Sequence, residues 1–156
     1  KKSDSVTFCL SKGLSAPIGS VLCGNHNFIE KARRLRKMLG GGMRQAGIIA
    51  AAGIVSLETM ISRLADDHAN ARKLALGLQG TPGIEINPEQ FPTNLVFFKV
   101  TLPSVNEVVR RLELAGIRVG DRVPAWRLAT HSGITSEDID YALDVIDSTF
   151  RKCSSA

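Results

Sequence analysis

No apolar run in this sequence approaches the roughly 18–20 residues that a helix needs to cross a bilayer, and no secretory-leader pattern opens it. A membrane partner is therefore not expected. Cysteine is scarce. Cys9, Cys23 and Cys153 are odd in number, widely spaced and form no C-x-x-C pair. That excludes a disulfide-built miniprotein and provides no zinc framework. Free thiols in a reducing compartment follow, and the expected location is the cytoplasm. Cys9 and Cys23 lie in apolar runs and are expected to be buried. Aromatic residues make up only 5% of the chain, with one Trp and one Tyr. Single-stranded nucleic-acid binders need more stacking surface than that. G-x-G-x-x-G, Walker and H-x-x-x-H patterns are also missing, as is a carboxylate cluster, so no metal is expected.

What is present is the balance of a globular protein. The 156 residues are 44% hydrophobic and 22% charged, with a net charge of +5. That length suits one domain, or a small domain plus part of another. The modest positive charge permits an anionic ligand without requiring one. The chain lacks an initiating Met and enters an apolar segment within five residues. A strand so early usually has neighbours on both sides. The expectation is the C-terminal piece of a longer protein.

Residues 5–10 and 19–23 read as two short buried strands, joined by a Pro-containing loop short enough to make them antiparallel neighbours. Residues 28–39 carry apolar side chains at helical spacing, capped by Asn25 or Asn27, with Glu30 in the first turn and Gly40-Gly41-Gly42 as the stop. Residues 43–79 read as one long helix. Its first half is nearly all apolar and should be buried on most sides, and its second half is amphipathic. Beyond Gly80–Gly83 the pattern is a small α+β module. Strands are expected at 84–86, 95–100, 117–119 and 125–130, and helices at 104–115 and 139–151. Thr135–Asp138 caps the last helix.

Four cations stand out. Lys12 follows an apolar strand on a Gly/Ser loop. It is either a turn lysine or an amine held for addition to a carbonyl. Arg44 follows three glycines where the long helix is expected to begin, as in an anion site or an ordinary hinge. Arg127 faces away from Trp126 and Leu128 on a strand and needs either an internal acid or a ligand carboxylate. Lys37 closes a basic run, Lys31–Lys37, that is either a solvated or subunit-facing helix or a nucleic-acid patch. His131 is a ligand, an acid–base group or a strand-end residue. His26 and His68 read as surface residues.

Three segments are similar, in order, to the low-specificity L-threonine aldolases. DSVTFCLSKGLSAPIGSVLCG (residues 4–24) resembles that family's pyridoxal-phosphate lysine segment. RRLRKMLGGGMRQAGIIAAAG (residues 33–53) resembles the segment that follows. WRLATH (residues 126–131) resembles its R-x-V-T-H stretch, with Ala129 in place of the usual Val. The resemblance spans nearly the whole chain, and the first two segments are the specific ones.

It implies an α/β fold class: the C-terminal part of a fold-type-I, pyridoxal-phosphate-dependent transferase-like fold. Residues 1–60 would end the large cofactor-binding domain, 61–83 would form a bridging helix and linker, and 84–156 a small α+β domain. Lys12 matches the family's Schiff-base lysine and Arg127 its substrate-carboxylate arginine. Lys37 and Arg44 match basic residues near the cofactor or a neighbouring subunit's site. The cofactor implied is pyridoxal 5'-phosphate. The activity implied is retro-aldol cleavage of L-threonine or L-allo-threonine to glycine and acetaldehyde. The partners implied are a small β-hydroxy-α-amino acid, the upstream part of the same enzyme and further copies in a homo-oligomer, with no nucleic acid. In this family the aspartate for the pyridine nitrogen, the ring-stacking residue and the phosphate loop lie upstream of the lysine, so the chain alone is expected to be inactive. Alternatives are another lyase of this fold, such as a β-eliminating one, a basic nucleic-acid-binding domain, or a non-catalytic interaction module.

Overall fold

The β-branched run after Asp4 forms β1 (Ser5–Cys9), and the run closed by Gly24 forms β2 (Ser20–Gly24). They pair antiparallel in the register Cys9↔Ser20 and Val6↔Cys23. These elements belong to a computed structural model that describes residues 3–90, 93–119 and 125–154. It divides into two units, Lys1–Leu64 and Ala65–Ala156.

In the first unit the β1–β2 sheet has two strands, so among the described residues β1 has one neighbour and not the expected two. Pleating puts Cys9 and Cys23 on opposite faces, and both are exposed, contrary to expectation. No layer of described residues covers either position. Helix α1 (His26–Met38) starts where Asn25 Oδ1 accepts from the Phe28 amide at 2.9 Å. Glu30 lies beyond its first turn, and the helix buries no residue. It ends in a Schellman closure, with Gly41 N donating to Arg36 O at 2.8 Å, Gly40 N to Lys37 O at 3.2 Å, and Gly40 at φ +82°.

The expected long helix is two helices, α2 (Gly47–Thr59) and α3 (Leu64–Leu78), separated by turns at 60–63. The expected burial of the first half is also corrected. Only Gly53 and Ser56 of α2 are buried, and Ile48 is 83% exposed. Apolarity makes burial favourable, but the atoms that cover Ile48, Ile54 and Val55 have to come from elsewhere.

The second unit has a closed core. Strands β3 (Ile84–Glu85), β4 (Leu95–Val100) and β5 (Trp126–Ala129) form an antiparallel sheet in the order β3-β4-β5. Val96, Phe98 and Trp126 on one face meet Ala71, Leu74 and Leu78 of α3, Val108 and Leu112 of α4 (Val105–Leu114), and Ile146 and Phe150 of α5 (Ser136–Ser154). Trp126 sits between Phe98 and Phe150, with ring centroids 5.7 and 6.2 Å away. Residues 117–119 are not the expected strand. Ile117 N is committed to the helix closure, donating to Leu112 O at 2.9 Å, with Gly116 at φ +81°. Among the described residues no single helix is long and apolar enough to cross a membrane.

Helix α5 begins with the expected reciprocal cap. Thr135 N donates to Asp138 Oδ2 at 2.8 Å, and Asp138 N donates to Thr135 Oγ1 at 3.2 Å. Thr135→Ala is expected to cost about 1 kcal/mol, seen as a lower urea midpoint for the second unit at unchanged slope. The Thr135 amide, and then its hydroxyl, hold the Asp138 carboxyl below its ordinary value. The sign follows by linkage: the contribution is present above the ordinary carboxylate range and is lost as pH falls through the depressed value. The variant should therefore lose less stability on acidification than the parent. Glu107 behaves alike on α4, where hydrogen bonds from Arg110 and Arg111 lower it to about 2. Its side chain is 36% exposed and solvent screens it, so its share is small.

Candidate active site

Beyond β1 the chain stays pinned on both sides of Lys12. Leu10 N donates to Gly19 O at 2.9 Å, Ser15 N to Lys12 O at 2.8 Å, and Ala16 N to Leu10 O at 3.0 Å. Ser15 takes a left-handed turn conformation, φ +57°. Leu10, Leu14 and Ala16 form a small buried cluster, and Phe8, Val21, Leu57, Met60 and Leu64 pack against it. The apolar residues around Lys12 are thus anchored while its own side chain is exposed. The loop presses on the inner face of α2. A Cβ placed on Gly53 would lie 3.0 Å from Leu10 Cδ1, and one on Gly13 would lie 2.8 Å from Leu64 Cδ2.

The glycine turn after α1 gathers a second cationic group. The Lys37 side chain lies over Gly42, where a Cβ would meet Lys37 Nζ at 3.0 Å. Arg44 is exposed two residues further on, in a turn that precedes α2. It does not open the helix as expected, because Gln45 takes φ +51° and helical geometry begins only at Gly47. The side chains of Lys12, Lys37 and Arg44 make no ion pair with a described residue, whereas Arg33 pairs with Glu30 at 3.4 Å.

In the second unit Arg127 lies on β5 directly opposite Phe97. Trp126 is buried, Arg127 exposed and Leu128 half-buried, the expected alternation. No described carboxylate pairs with Arg127, so the internal-acid reading finds no support among the described residues. His131 Nδ1 accepts from Gly133 N at 3.1 Å and closes the turn after the strand. His26 and His68 are exposed helical residues. No group of three potential metal ligands occurs among the described residues. The structure therefore brings Lys37 and the turn leading to Arg44 together in the unit that holds Lys12, while Arg127 belongs to the other unit.

The fold is that of pyridoxal-phosphate-dependent transferases. The chain superposes on serine palmitoyltransferase from Sphingomonas wittichii with a TM-score of 0.79 at 20% identity, covering 97% of this chain and 41% of that one. The profile of the beta-eliminating lyase family matches residues 1–101, and the chain belongs to that family. It is 42% identical to low-specificity L-threonine aldolase 1 of Arabidopsis thaliana over 147 residues, 92% of this chain and 41% of the relative. It is 40% identical to the low specificity L-threonine aldolase of Escherichia coli K12 over 136 residues, 87% and 40% respectively. The chain thus spans about two fifths of the length of these curated relatives.

The residues beneath the Lys12 loop were not legible as part of a site. One signal was available: Gly53 interrupts an otherwise apolar helix, at a cost that only packing or function offsets.

Proposed function

We propose that this chain is the C-terminal part of a pyridoxal-phosphate-dependent aldolase that cleaves the Cα–Cβ bond of threonine and allo-threonine, giving glycine and acetaldehyde. The observation that carries the reading is the exposed Lys12 amine on a loop anchored at both ends. Threonine aldolase relatives aligned over most of the chain support it.

The residues present suit the cofactor's chemistry. Lys12 offers a primary amine to an aldehyde, and Lys37 and Arg44 offer positive charge to a phosphate or to a neighbouring copy's site. When bound, pyridoxal phosphate supplies the electron sink for the pair left on Cα. The chain's own residues bind and orient. Arg127 takes the substrate carboxylate through two parallel N–H donors and thereby fixes which Cα bond is aligned for cleavage. The Lys12 amine would hold the cofactor aldehyde and would be available to move a proton.

In this reading the first unit ends a large cofactor-binding domain, and β3 to α5 form a small domain. The active enzyme is at least a dimer. The free thiols suit a reducing compartment such as the cytoplasm.

The test is incubation with pyridoxal phosphate, borohydride reduction and peptide mapping, with label expected on Lys12. Label confined to other lysines would sink the reading. Without the rest of the enzyme, the 156-residue chain is expected to form no glycine from threonine above the cofactor-only background. Robust turnover would show that the missing groups are dispensable. The family match favours one second reading, loss of a β-substituent instead of Cβ itself. Release of ammonia and a 2-oxo acid in place of glycine would select it.

A further inference from the structure

The mechanism uses Lys12 but does not say what sets the position of its amine, and the structure offers a specific answer. Among the described residues of the first unit, three apolar side chains are buried, Leu10, Leu14 and Ala16, and they flank Lys12 on both sides. Gly53 and Leu57 of α2, and Met60 just beyond it, lie against them, on the side of the helix withdrawn from solvent. Residues 49, 52, 53, 56, 57 and 60 are the ones withdrawn from solvent, at i, i+3, i+4, i+7, i+8 and i+11, while Ile48, Ile54 and Val55 are exposed. At the centre of the stripe is Gly53. Leu10 Cδ1 would lie 3.0 Å from a Cβ there and 3.5 Å from one on Gly19. The Leu10 methyl is therefore seated between two glycines. Leu10 is tied to the loop by two backbone hydrogen bonds, to Gly19 O and from Ala16 N. One residue, Ser11, separates it from Lys12.

A glycine inside a helix costs roughly 0.5–1 kcal/mol relative to alanine, and Gly53 has a negative φ that alanine would also adopt. Backbone conformation does not require glycine here, so the requirement is space. We propose that Gly53 is a positioning residue. Its bare Cα sets the depth at which Leu10 is seated and, through the Leu10–Ala16 closure, the place at which the Lys12 amine is presented. The inference rests on the assignment of Lys12 given above and deepens it.

The experiment uses the full enzyme containing this chain, with pyridoxal phosphate and borohydride as probes. Gly53→Ala adds one methyl and gains helix propensity, so its urea midpoint should hold or rise. Leu10 must then give way by a few tenths of an ångström. An ångström of misplacement can cost ~100-fold, so the rate of Lys12 labelling should fall about 10-fold and the pH midpoint of the visible cofactor band should move. Gly53→Ala with Leu10→Val, which frees the space again, should recover most of both. A variant with slack and no pressure, Leu10→Ala, should also move the pH midpoint. If Gly53→Ala does not fold, Leu10→Ala and the paired variant decide the matter.

Unchanged labelling rate and pH midpoint in Gly53→Ala would overturn the positioning role, as would a paired variant that folds without recovery. In both cases the parent would still be labelled at Lys12 and the proposed function would stand. A parent enzyme without label on Lys12 overturns both.

Discussion

Lys12→Ala is expected to leave the full enzyme folded, but without covalently held cofactor and with turnover reduced by roughly 10³-fold, within the range that loss of a positioned proton-transfer group costs. The stability expectation comes from exposure. Lys12 is exposed, and its carbonyl accepts from Ser15 N. The carbonyl survives in the variant. Lys12→Arg is the sharper version. Arginine keeps the charge, but its guanidinium stays protonated and does not act as a nucleophilic amine. It should fail as alanine does. Borohydride labelling, visible absorbance and glycine release are the three readouts. Substantial activity in Lys12→Arg would mean that the loop contributes charge and not an amine.

The second large effect is expected at Arg127. Losing a bidentate, charge-assisted pair to a substrate carboxylate removes about 3 kcal/mol, so kcat/KM for threonine should fall ~100-fold in Arg127→Ala. Arg127→Lys should recover little, because a point charge does not provide two parallel donors. Stability should stay within about 0.5 kcal/mol, since the side chain is exposed on the face opposite Trp126. The amino alcohol corresponding to threonine, which has no carboxylate, should bind parent and variant equally. A variant that lost stability while retaining its preference for the carboxylate would make Arg127 a structural residue.

Several features were legible in the chain because local chemistry decides them. The Thr135/Asp138 cap, the stops at Gly40 and Gly116, and the alternation of Trp126, Arg127 and Leu128 depend on neighbours within a few residues, and each is found. Features that depend on distant atoms were misread. The apolar first half of the 43–79 run signalled burial, yet Ile48 and Ile54 have no cover within the described residues. Cys9 and Cys23 were misread for the same reason. The break at 60–63 carries neither Gly nor Pro, so nothing in Met60-Ile61-Ser62-Arg63 marks it. At 117–119 a strand-like composition lost to the helix closure that claims the Ile117 amide. Of the candidate site, the chemistry of single residues left Lys12 between a turn lysine and a carbonyl-seeking amine. Only the long matching segments pointed to the second.

The unequal cores of the two units also bear on how the protein is made. A chain leaving the ribosome folds as its units emerge, at about 5–20 residues per second. The first unit precedes the second, and among its described residues the buried apolar side chains are Leu10, Leu14 and Ala16. The second, whose sheet is sealed by Ile146 and Phe150, closes only after α5 has been synthesised. Ile48, Ile54 and Val55 of α2 remain exposed even after that closure. The helix packed under the Lys12 loop therefore also offers a chaperone an apolar surface.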